Sequence, residues 1–242
     1  MLMWRILLMV LRNFWRVPYA YWKLCHHAKH TDEYPEIEKW QHIQYVLRLA
    51  VTSGNIDLKA VGMENIPAEG PFLLYGNHQG MFDIIAVAAT CDSPVGGIFK
   101  KELKDIPFLK QISASTHSYA MDREDVRQSM EVIVNVIKEL KKGRSYLIFP
   151  EGTRSRKGNQ MVDFHAGSFK CALKAKCPVI PVAFVNSFKV LDEKGIKPVH
   201  VEIHYLDPIL PEEYKDMNTQ QLAALVQERI GAVLTAYMEE NK

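Results

Sequence analysis

The sequence has few cysteines and little net charge, and both shortages exclude classes of protein. The four cysteines are scattered and form no C-x-x-C pair: Cys25, Cys91, Cys171 and Cys177. This pattern argues against a disulfide framework or a zinc site and favours reduced thiols. The formal net charge is only +2, which gives no reason to expect nucleic acid as a partner. The sequence therefore predicts neither a metal site nor a nucleic-acid interface.

Long hydrophobic runs are also missing from the amino terminus, although apolar residues are frequent there. The longest uninterrupted run, Ile6 to Leu11, is flanked by Arg5 and Arg12. It is too short for a transmembrane helix of about 20 residues, and also for the apolar core of a secretory signal, which needs at least about 7. We therefore predict that this segment is neither a span nor a signal peptide.

Acidic residues are absent before Asp32, whereas the same segment holds five lysines and arginines. At about 100° per residue, four of these cations fall in one stripe of a helix; they are Arg5, Arg12, Arg16 and Lys23. Apolar side chains cover much of the remainder, namely Trp4, Leu7, Leu8, Leu11, Phe14 and Trp15. This pattern is typical of a helix lying in an anionic headgroup layer. Pro18 interrupts this helix. The alternatives are a helix docked on the protein's own core and a single-pass anchor.

A second helix is predicted from about residue 35 to residue 53. Ile37, Trp40, Ile43, Leu47 and Val51 recur near helical spacing, and a Gly-Asn pair ends the pattern. We interpret residues 1–54 as an amphipathic two-helix segment that binds the membrane and precedes a catalytic domain at 55–242.

The remainder of the chain alternates strands with helices. Short apolar runs rich in β-branched or aromatic residues occur near 56–61, 71–76, 96–100, 115–120, 145–149, 179–185 and 199–206. Helical segments are predicted at 124–142, where acids open the helix and lysines close it, and at 219–240. This order indicates an α/β fold with a mixed sheet flanked by helices.

One segment carries a histidine and an aspartate at a strand-to-helix turn. It reads P-F-L-L-Y-G-N-H-Q-G-M-F-D and contains His78 and Asp83. Histidine accepts a proton near neutral pH, and an aspartate can hold its tautomer and stabilise the cation that forms. Two other histidines, His27 and His117, also precede an aspartate by five residues. Neither of those pairs lies on a strand-to-helix turn, so we interpret both histidines as structural.

A second segment, S-Y-L-I-F-P-E-G-T-R-S, takes another buried strand into a turn. The turn holds Glu151, Gly152, Thr153 and Arg154. Arginine offers a planar fork to phosphate oxygens, and glycine lets backbone N–H groups approach an anion. A simple surface turn with a Glu–Arg pair is the alternative interpretation of this segment alone.

The two segments together resemble the glycerolipid acyltransferase family, whose bacterial members include 1-acyl-sn-glycerol-3-phosphate acyltransferases. N-H-Q-G-M-F-D is followed about seventy residues later by F-P-E-G-T-R-S. F-K-K-E-L-K-D-I-P, from Phe99, resembles the family's substrate-binding block, and V-I-P-V-A-F resembles its last apolar block. The likeness covers roughly residues 60–190 and implies the family's glycerolphosphate acyltransferase fold.

The resemblance implies a role for each candidate residue. His78 would deprotonate the acceptor hydroxyl and Asp83 would orient His78, without a covalent acyl-enzyme. The acceptor phosphate would be held by Arg154, by Lys100 or its neighbour Lys101, and by Arg123. Glu151 would position the acceptor or brace the arginine, and Gly152 and Thr153 would also belong to the substrate-binding turn. Backbone N–H groups near the turn would stabilise the oxyanion.

The resemblance also implies the substrates and the location of the protein. The acceptor would be lysophosphatidic acid, and the co-substrate acyl-CoA or acyl carrier protein, with no cofactor. The protein would lie on the cytoplasmic face of the cell membrane as a peripheral or monotopic protein. The sequence leaves open which donor is used and which acyl-chain length is preferred.

One departure from the family pattern concerns the acceptor rather than the reaction. The family usually reads F-K-x-G-A-F after the second motif, whereas Phe164 is followed here by His165. Another lysolipid or glycerol 3-phosphate therefore stays an alternative acceptor. A serine hydrolase is a weaker alternative because no G-x-S-x-G elbow is present. A non-catalytic lipid-binding protein would leave both turn motifs without a purpose.

Overall fold

A seven-stranded sheet forms the centre of the computed structural model, which describes residues 3–241. Its strands stand in the order β1-β7-β6-β2-β5-β3-β4. In chain order they are β1 (Ile56–Val61), β2 (Leu73–Gly76), β3 (Val95–Lys100), β4 (Tyr119–Met121), β5 (Ser145–Ile148), β6 (Val179–Val185) and β7 (Val199–Tyr205). The predicted mixed sheet is confirmed. Strands β6, β2, β5, β3 and β4 run parallel to one another, whereas β7 pairs with β6 in the antiparallel direction.

The sheet's central strands are buried along their whole length. Every residue of β2, β5 and β6 is buried, as expected for parallel strands covered on both faces. Because β2 to β6 are parallel, their carboxyl ends meet at one edge of the sheet. Ligands of open α/β sheets bind outside this edge, called here the carboxyl edge.

Ten helices surround the sheet within residues 3–241. They are α1 (Met3–Arg12), α2 (Val17–Lys29), α3 (Glu36–Ser53), α4 (Phe82–Thr90), α5 (Leu109–Ser115), α6 (Val126–Lys141), α7 (Lys170–Ala175), α8 (Phe188–Leu191), α9 (Pro211–Tyr214) and α10 (Thr219–Glu240). One apolar cluster joins α3 and α4 to the sheet, and a second joins α6, α7 and α10 to it. The predicted flanking helices are therefore present, and they form two groups that pack on the sheet through separate apolar clusters.

Several predicted boundaries shift by a few residues for identifiable reasons. The helix predicted from residue 124 begins at Val126, because the Asp125 side chain caps it by accepting a hydrogen bond from the backbone N–H of Gln128. The strand predicted at 115–120 is wrong in its first half. Ser115 ends helix α5, and the strand begins only at Tyr119.

The amino terminus forms three helices rather than the predicted two. A turn at residues 13–16 separates α1 from α2, in which Pro18 occupies the first turn, where its missing N–H costs no helical hydrogen bond. The second predicted helix is confirmed as α3. Trp40 and Ile43 of α3 belong to the core cluster of the sheet, so this segment shares an apolar core with the domain that follows.

Two of the four cations in the predicted basic stripe, Arg5 and Arg12, bond to the protein, which corrects our expectation that both face a lipid surface, whereas Arg16 is exposed and Lys23 is half-buried. Arg5 is 5% exposed and donates to the carbonyl oxygens of Gly54 (2.6 Å) and Lys197 (3.0 Å). Arg12 donates to the carbonyl oxygen of Ser53 at 2.9 Å. Carbonyls at the end of a helix lack intrahelical partners and attract cations. The outward face also carries many large apolar side chains: Trp4, Leu7, Leu11, Phe14, Trp15, Tyr19 and Trp22 are all exposed.

None of the helices within residues 3–241 is both long enough and apolar enough to cross a bilayer.

Candidate active site

The turn after β2 brings His78 and Asp83 together at the carboxyl edge. The chain leaves β2 at Gly76 and enters α4 at Phe82, and within this turn His78 Nδ1 lies 2.7 Å from Asp83 Oδ2. Asn77 anchors the turn, because its side chain exchanges two hydrogen bonds with the backbone of Phe184 on β6. The local geometry thus holds the predicted pair on a rigid connection between two core elements.

Asp83 is fully buried and surrounded by hydrogen-bond donors. Its Oδ2 accepts from His78 and from the backbone N–H groups of Gln79 (2.8 Å) and Gly80 (3.0 Å). Its Oδ1 accepts a short hydrogen bond from the hydroxyl of Ser187. These hydrogen bonds fix the orientation of the carboxylate, which can therefore hold the imidazole in one tautomer.

The His78 ring presents its second nitrogen to the edge of the sheet. The ring stacks on Phe149 with centroids 4.1 Å apart, and its side chain is 13% exposed. Since Nδ1 donates to Asp83, Nε2 is the basic nitrogen, and no group within residues 3–241 bonds to it. A hydroxyl group that reaches this nitrogen can lose its proton to it.

The two other histidines with the same spacing do not pair with their aspartates. His27 Nε2 lies 3.9 Å from Glu38, and His117 Nε2 lies 3.6 Å from Glu36. Asp122 forms an ion pair with Lys101 instead of His117. Among these three histidines, only His78 pairs with the aspartate that follows it by five positions.

Glu151 ties the second predicted turn to the first. It is 1% exposed, and its two carboxylate oxygens accept from the backbone N–H groups of His78 (2.7 Å) and Val162 (3.1 Å). Burial raises the pKa of Glu151, although these hydrogen bonds oppose the shift. The backbone N–H of Ser155 also donates to the carbonyl oxygen of His78 at 2.9 Å. Glu151 thus supports the backbone of the base, and Asp192 takes the place expected of Glu151 beside the arginine.

The predicted cations gather at the ends of neighbouring parallel strands. Arg154 Nη1 donates to Asp192 Oδ1 at 2.7 Å. Partial burial lowers the pKa of the Arg123 guanidinium, and the nearby charge of Arg154 adds to this effect, while Glu102 opposes it. Arg123 and Arg154 therefore lie within electrostatic reach of each other, which suits a site for an anion.

The two predicted lysines stand at the end of β3, on the same edge. Lys100 lies 3.2 Å from Glu102, and Lys101 pairs with Asp122. Both side chains are about half exposed. They can therefore exchange these carboxylates for a phosphate at little cost, because exposed ion pairs are weak.

Gly152 and Thr153 form the bend between Glu151 and Arg154. Gly152 has φ +66°, and a Cβ atom there would lie 3.1 Å from Cδ2 of His165. Thr153 is exposed on the same bend. The histidine that stands in place of the family's lysine thus packs beside this turn.

Five polar residues at the site escaped the sequence interpretation. Asn159 Oδ1 accepts from the Gln79 side chain and from the backbone N–H of Asn186, and Ser187 and Asp192 contact Asp83 and Arg154. A signal was available, because Asn186 and Ser187 directly follow the buried strand β6 at the edge where ligands bind.

The cysteines lie apart from this chemistry. All four are free, and burial raises the pKa of Cys91, Cys171 and Cys177 to about 12, so these thiols remain protonated at neutral pH. Within residues 3–241, no three histidine, cysteine or acidic side chains are grouped as metal ligands.

Comparison with known proteins agrees with this geometry. Residues 57–185, which hold both turns, match the model of a family described as acyltransferase. The chain belongs to the acyltransferase family. The predicted family and the predicted enzyme class are both confirmed.

Similar acyltransferases occur in distant organisms. The chain is 29% identical to a 1-acyl-sn-glycerol-3-phosphate acyltransferase of Borreliella burgdorferi, over 76% of this chain and 74% of that protein. It is 32% identical to the proteins of that name from Saccharomyces cerevisiae and Salmonella typhimurium. These alignments cover 57% and 64% of this chain, but only 46% and 63% of those proteins.

The fold of this acyltransferase also matches a solved structure. The crystal structure of the 1-acyl-sn-glycerophosphate acyltransferase from Thermotoga maritima superposes with a TM-score of 0.77, at 22% identity, over 96% of each chain. The likeness at this identity is one of fold.

Proposed function

We propose that this acyltransferase moves a fatty acyl group from a thioester to the sn-2 hydroxyl of 1-acyl-sn-glycerol 3-phosphate, producing phosphatidic acid. The observation that carries the proposal is the His78–Asp83 pair, with Nε2 of His78 free at the edge where the cations gather. The names of its relatives support the acceptor. The reaction belongs to phospholipid biosynthesis.

The proposed chemistry needs one base and no covalent enzyme intermediate. His78 Nε2 takes the proton of the acceptor hydroxyl, and the oxygen attacks the thioester carbonyl carbon. The tetrahedral intermediate then collapses as the C–S bond breaks, and the departing thiolate takes the proton from the imidazolium. Asp83 stabilises the imidazolium throughout. The backbone N–H of Thr153 stabilises the oxyanion, since that of Gly152 donates to the carbonyl oxygen of Phe149 at 3.1 Å.

The acceptor phosphate is assigned to the cations of the carboxyl edge. Arg154 offers its free guanidinium nitrogens as a fork, and Arg123 adds a second charge within electrostatic reach. Lys100 and Lys101 supply further charge from the end of β3. Cations on three different strand ends would orient the hydroxyl toward His78 by fixing the other end of the headgroup.

The proposed location is the cytoplasmic face of the cell membrane, as a peripheral or monotopic protein. Support comes from the outward apolar face of α1 and α2, where Trp15 is 89% exposed and Trp4 is 68% exposed. Exposed tryptophans of this density are typical of a helix at a membrane interface. The acyl donor in this proposal is acyl-CoA or acyl carrier protein, and the acceptor reaches the site from the bilayer.

The test is transfer of a labelled acyl group from acyl-CoA to 1-acyl-sn-glycerol 3-phosphate in vesicles. We expect product from the full chain and a loss on the order of 10³-fold or more in kcat for His78→Ala. His117→Asn is the matched control, because His117 has the same spacing to an aspartate but contacts Glu36. Asparagine also tolerates the positive φ of that position.

Three outcomes would contradict parts of this proposal. No product from the folded wild type, with acyl-CoA and with acyl carrier protein, would reject this acceptor, and the assay would move to other lysolipids and glycerol 3-phosphate. Equal activity of wild type and His78→Ala would remove His78 from the mechanism. Loss of activity in His117→Asn to the same degree would show that the assay reports folding.

A further inference from the structure

The segment that follows β6 covers both halves of the active site. It runs from Asn186 to Asp192 and includes the short helix α8; we call it the 186–192 segment. Its first residues contact the turn that carries His78, and its last residue contacts Arg154. One short piece of chain therefore meets the base and the proposed phosphate ligand together.

Ser187 connects this segment to the base pair. It is fully buried, and its hydroxyl donates the short hydrogen bond to Asp83 Oδ1. Its backbone N–H donates to Gln79 Oε1 at 3.0 Å, which fixes the serine against the same turn. Asp83 thus sits between Ser187 on one oxygen and His78 on the other, and a change at Ser187 alters the orientation and the charge distribution of the carboxylate.

Asp192 connects the same segment to the arginine. Its Oδ1 accepts from Arg154 Nη1 at 2.7 Å, and both side chains are one third exposed. Its other carboxylate oxygen, Oδ2, lies beside Gly80. A Cβ atom at position 80 would come within 2.6 Å of this oxygen. The absence of a side chain at position 80 therefore lets the segment pack against the catalytic turn.

We propose that Ser187 and Asp192 are positioning residues, through which the 186–192 segment sets the geometry of the catalytic base and of the phosphate ligand separately. Ser187 acts on proton transfer through Asp83, and Asp192 acts on the acceptor by holding the Arg154 guanidinium with one nitrogen engaged and the others free. The assignment rests on the proposed function, because it takes His78 as base and Arg154 as phosphate ligand.

The two residues should affect different kinetic constants. Weakening the support of Asp83 slows a step after substrate has bound, so Ser187→Ala should lower kcat about tenfold and leave the acceptor KM within about twofold. Releasing Arg154 weakens binding before the chemical step, so Asp192→Ala should raise the acceptor KM about three- to fivefold with little change in kcat. A merely structural role of the segment would change both constants together.

The experiment measures both constants for full-length variants in vesicles that contain 1-acyl-sn-glycerol 3-phosphate and acyl-CoA. Ser187→Cys keeps a donor at this position, although a larger and weaker one, and should fall between wild type and Ser187→Ala. It also carries the test if the alanine variant does not fold. Asp192→Glu keeps the carboxylate and should restore most of the acceptor affinity.

Thr90→Val is the matched control for removing a hydroxyl group. Thr90 lies at the far end of α4, the helix that carries Asp83, and its hydroxyl bonds to that of Tyr205. This variant should lose stability similarly but keep kcat and the acceptor KM.

A double variant separates this proposal from the proposed function. In an Arg154→Ala background, Asp192→Ala should have no further effect on the acceptor KM, because its partner is gone. Additive effects, an unchanged KM in Asp192→Ala, or an unchanged kcat in Ser187→Ala would each overturn the corresponding half. An inactive wild type would instead reject the proposed function.

Discussion

At the scale of single residues, Gly152 occupies a backbone conformation that other residues adopt at a cost. Its φ is +66°, and a Cβ atom would press against the His165 ring at 3.1 Å. The left-handed conformation alone costs about 1–2 kcal/mol for a residue with a side chain. The bend it forms holds Glu151 on one side and Arg154 on the other, so its shape matters to both.

We predict that Gly152→Ala lowers activity at least tenfold as well as lowering the midpoint of thermal unfolding. The added methyl group must displace His165 or shift the bend, which moves Arg154 relative to His78. Gly70→Ala is the matched control, because Gly70 also has a positive φ of +82° but has nothing within 4 Å of its Cβ position. That variant should lose stability and keep its activity. Equal kcat values in the two variants would refute this role.

The residues that could be predicted from the sequence are those whose partners are local. His78 and Asp83 are five positions apart on one turn, so a strand followed by a helix is enough to place them together. Ser187 reaches Asp83 across 104 positions, and Asp192 reaches Arg154 across 38. Such contacts depend on the strand order, in which β6 lies beside β2, and no spacing in the sequence indicates that order.

At the scale of elements, the strands were easier to predict than the short helices. Continuous apolar runs such as Val179–Val185 identify buried parallel strands without knowledge of their neighbours. Helices α5, α7, α8 and α9 have only 4 to 7 residues, which is too short for helical periodicity to emerge. The direction in which α1 docks could not be predicted either, because an amphipathic pattern shows that two faces differ but not which one meets the protein.

The orientation of α1 leads to a prediction about membrane binding. Since Arg5 and Arg12 donate to carbonyl oxygens of the protein, while large apolar side chains such as Trp4, Leu11 and Trp15 are exposed, the apolar face should supply most of the affinity. We expect the triple variant Trp4→Ala, Leu11→Ala, Trp15→Ala to bind vesicles at least tenfold more weakly, because it removes large apolar surface from the interface. Vesicle co-sedimentation at low and high salt measures this.

The matched control for that variant changes exposed apolar residues elsewhere. Val126 and Met130 on α6 are 72% and 59% exposed, and their replacement by alanine should leave vesicle binding unchanged. Wild-type binding that disappears at high salt would show instead that cations dominate, and would reject the importance of the apolar face.

At the scale of the whole molecule, helix α2 is joined to α3, and through α3 to the core of the sheet, by a contact that contains buried histidines. His27 on α2 is 1% exposed, and His42 on α3 is 7% exposed and bonds to the carbonyl oxygen of Ala20 at 3.0 Å. Burial lowers the pKa of both imidazoles, and the charge of Lys23 adds to the shift, while Glu38 opposes it at His27 and the Ala20 hydrogen bond opposes it at His42. Both rings are therefore neutral in the folded protein near pH 7.

The burial of His27 and His42 predicts that the free energy of unfolding falls in mild acid. Because their folded pKa values lie below the unfolded value of about 6.5, the unfolded chain binds more protons in mild acid. The stability that each neutral histidine contributes is therefore complete above that pH and is lost as the pH falls through the folded pKa. We expect the midpoint of thermal unfolding to fall by several degrees between about pH 7.5 and pH 5.

His42→Gln should reduce this change of the unfolding midpoint with pH, because the amide can still donate to Ala20 but does not titrate. His200→Asn should steepen it, since the hydrogen bonds that the His200 ring donates to Glu202 and Asp57 raise the pKa of His200, which therefore stabilises the folded state at low pH. Equal slopes in wild type and both variants would show that these histidines do not control the acid response.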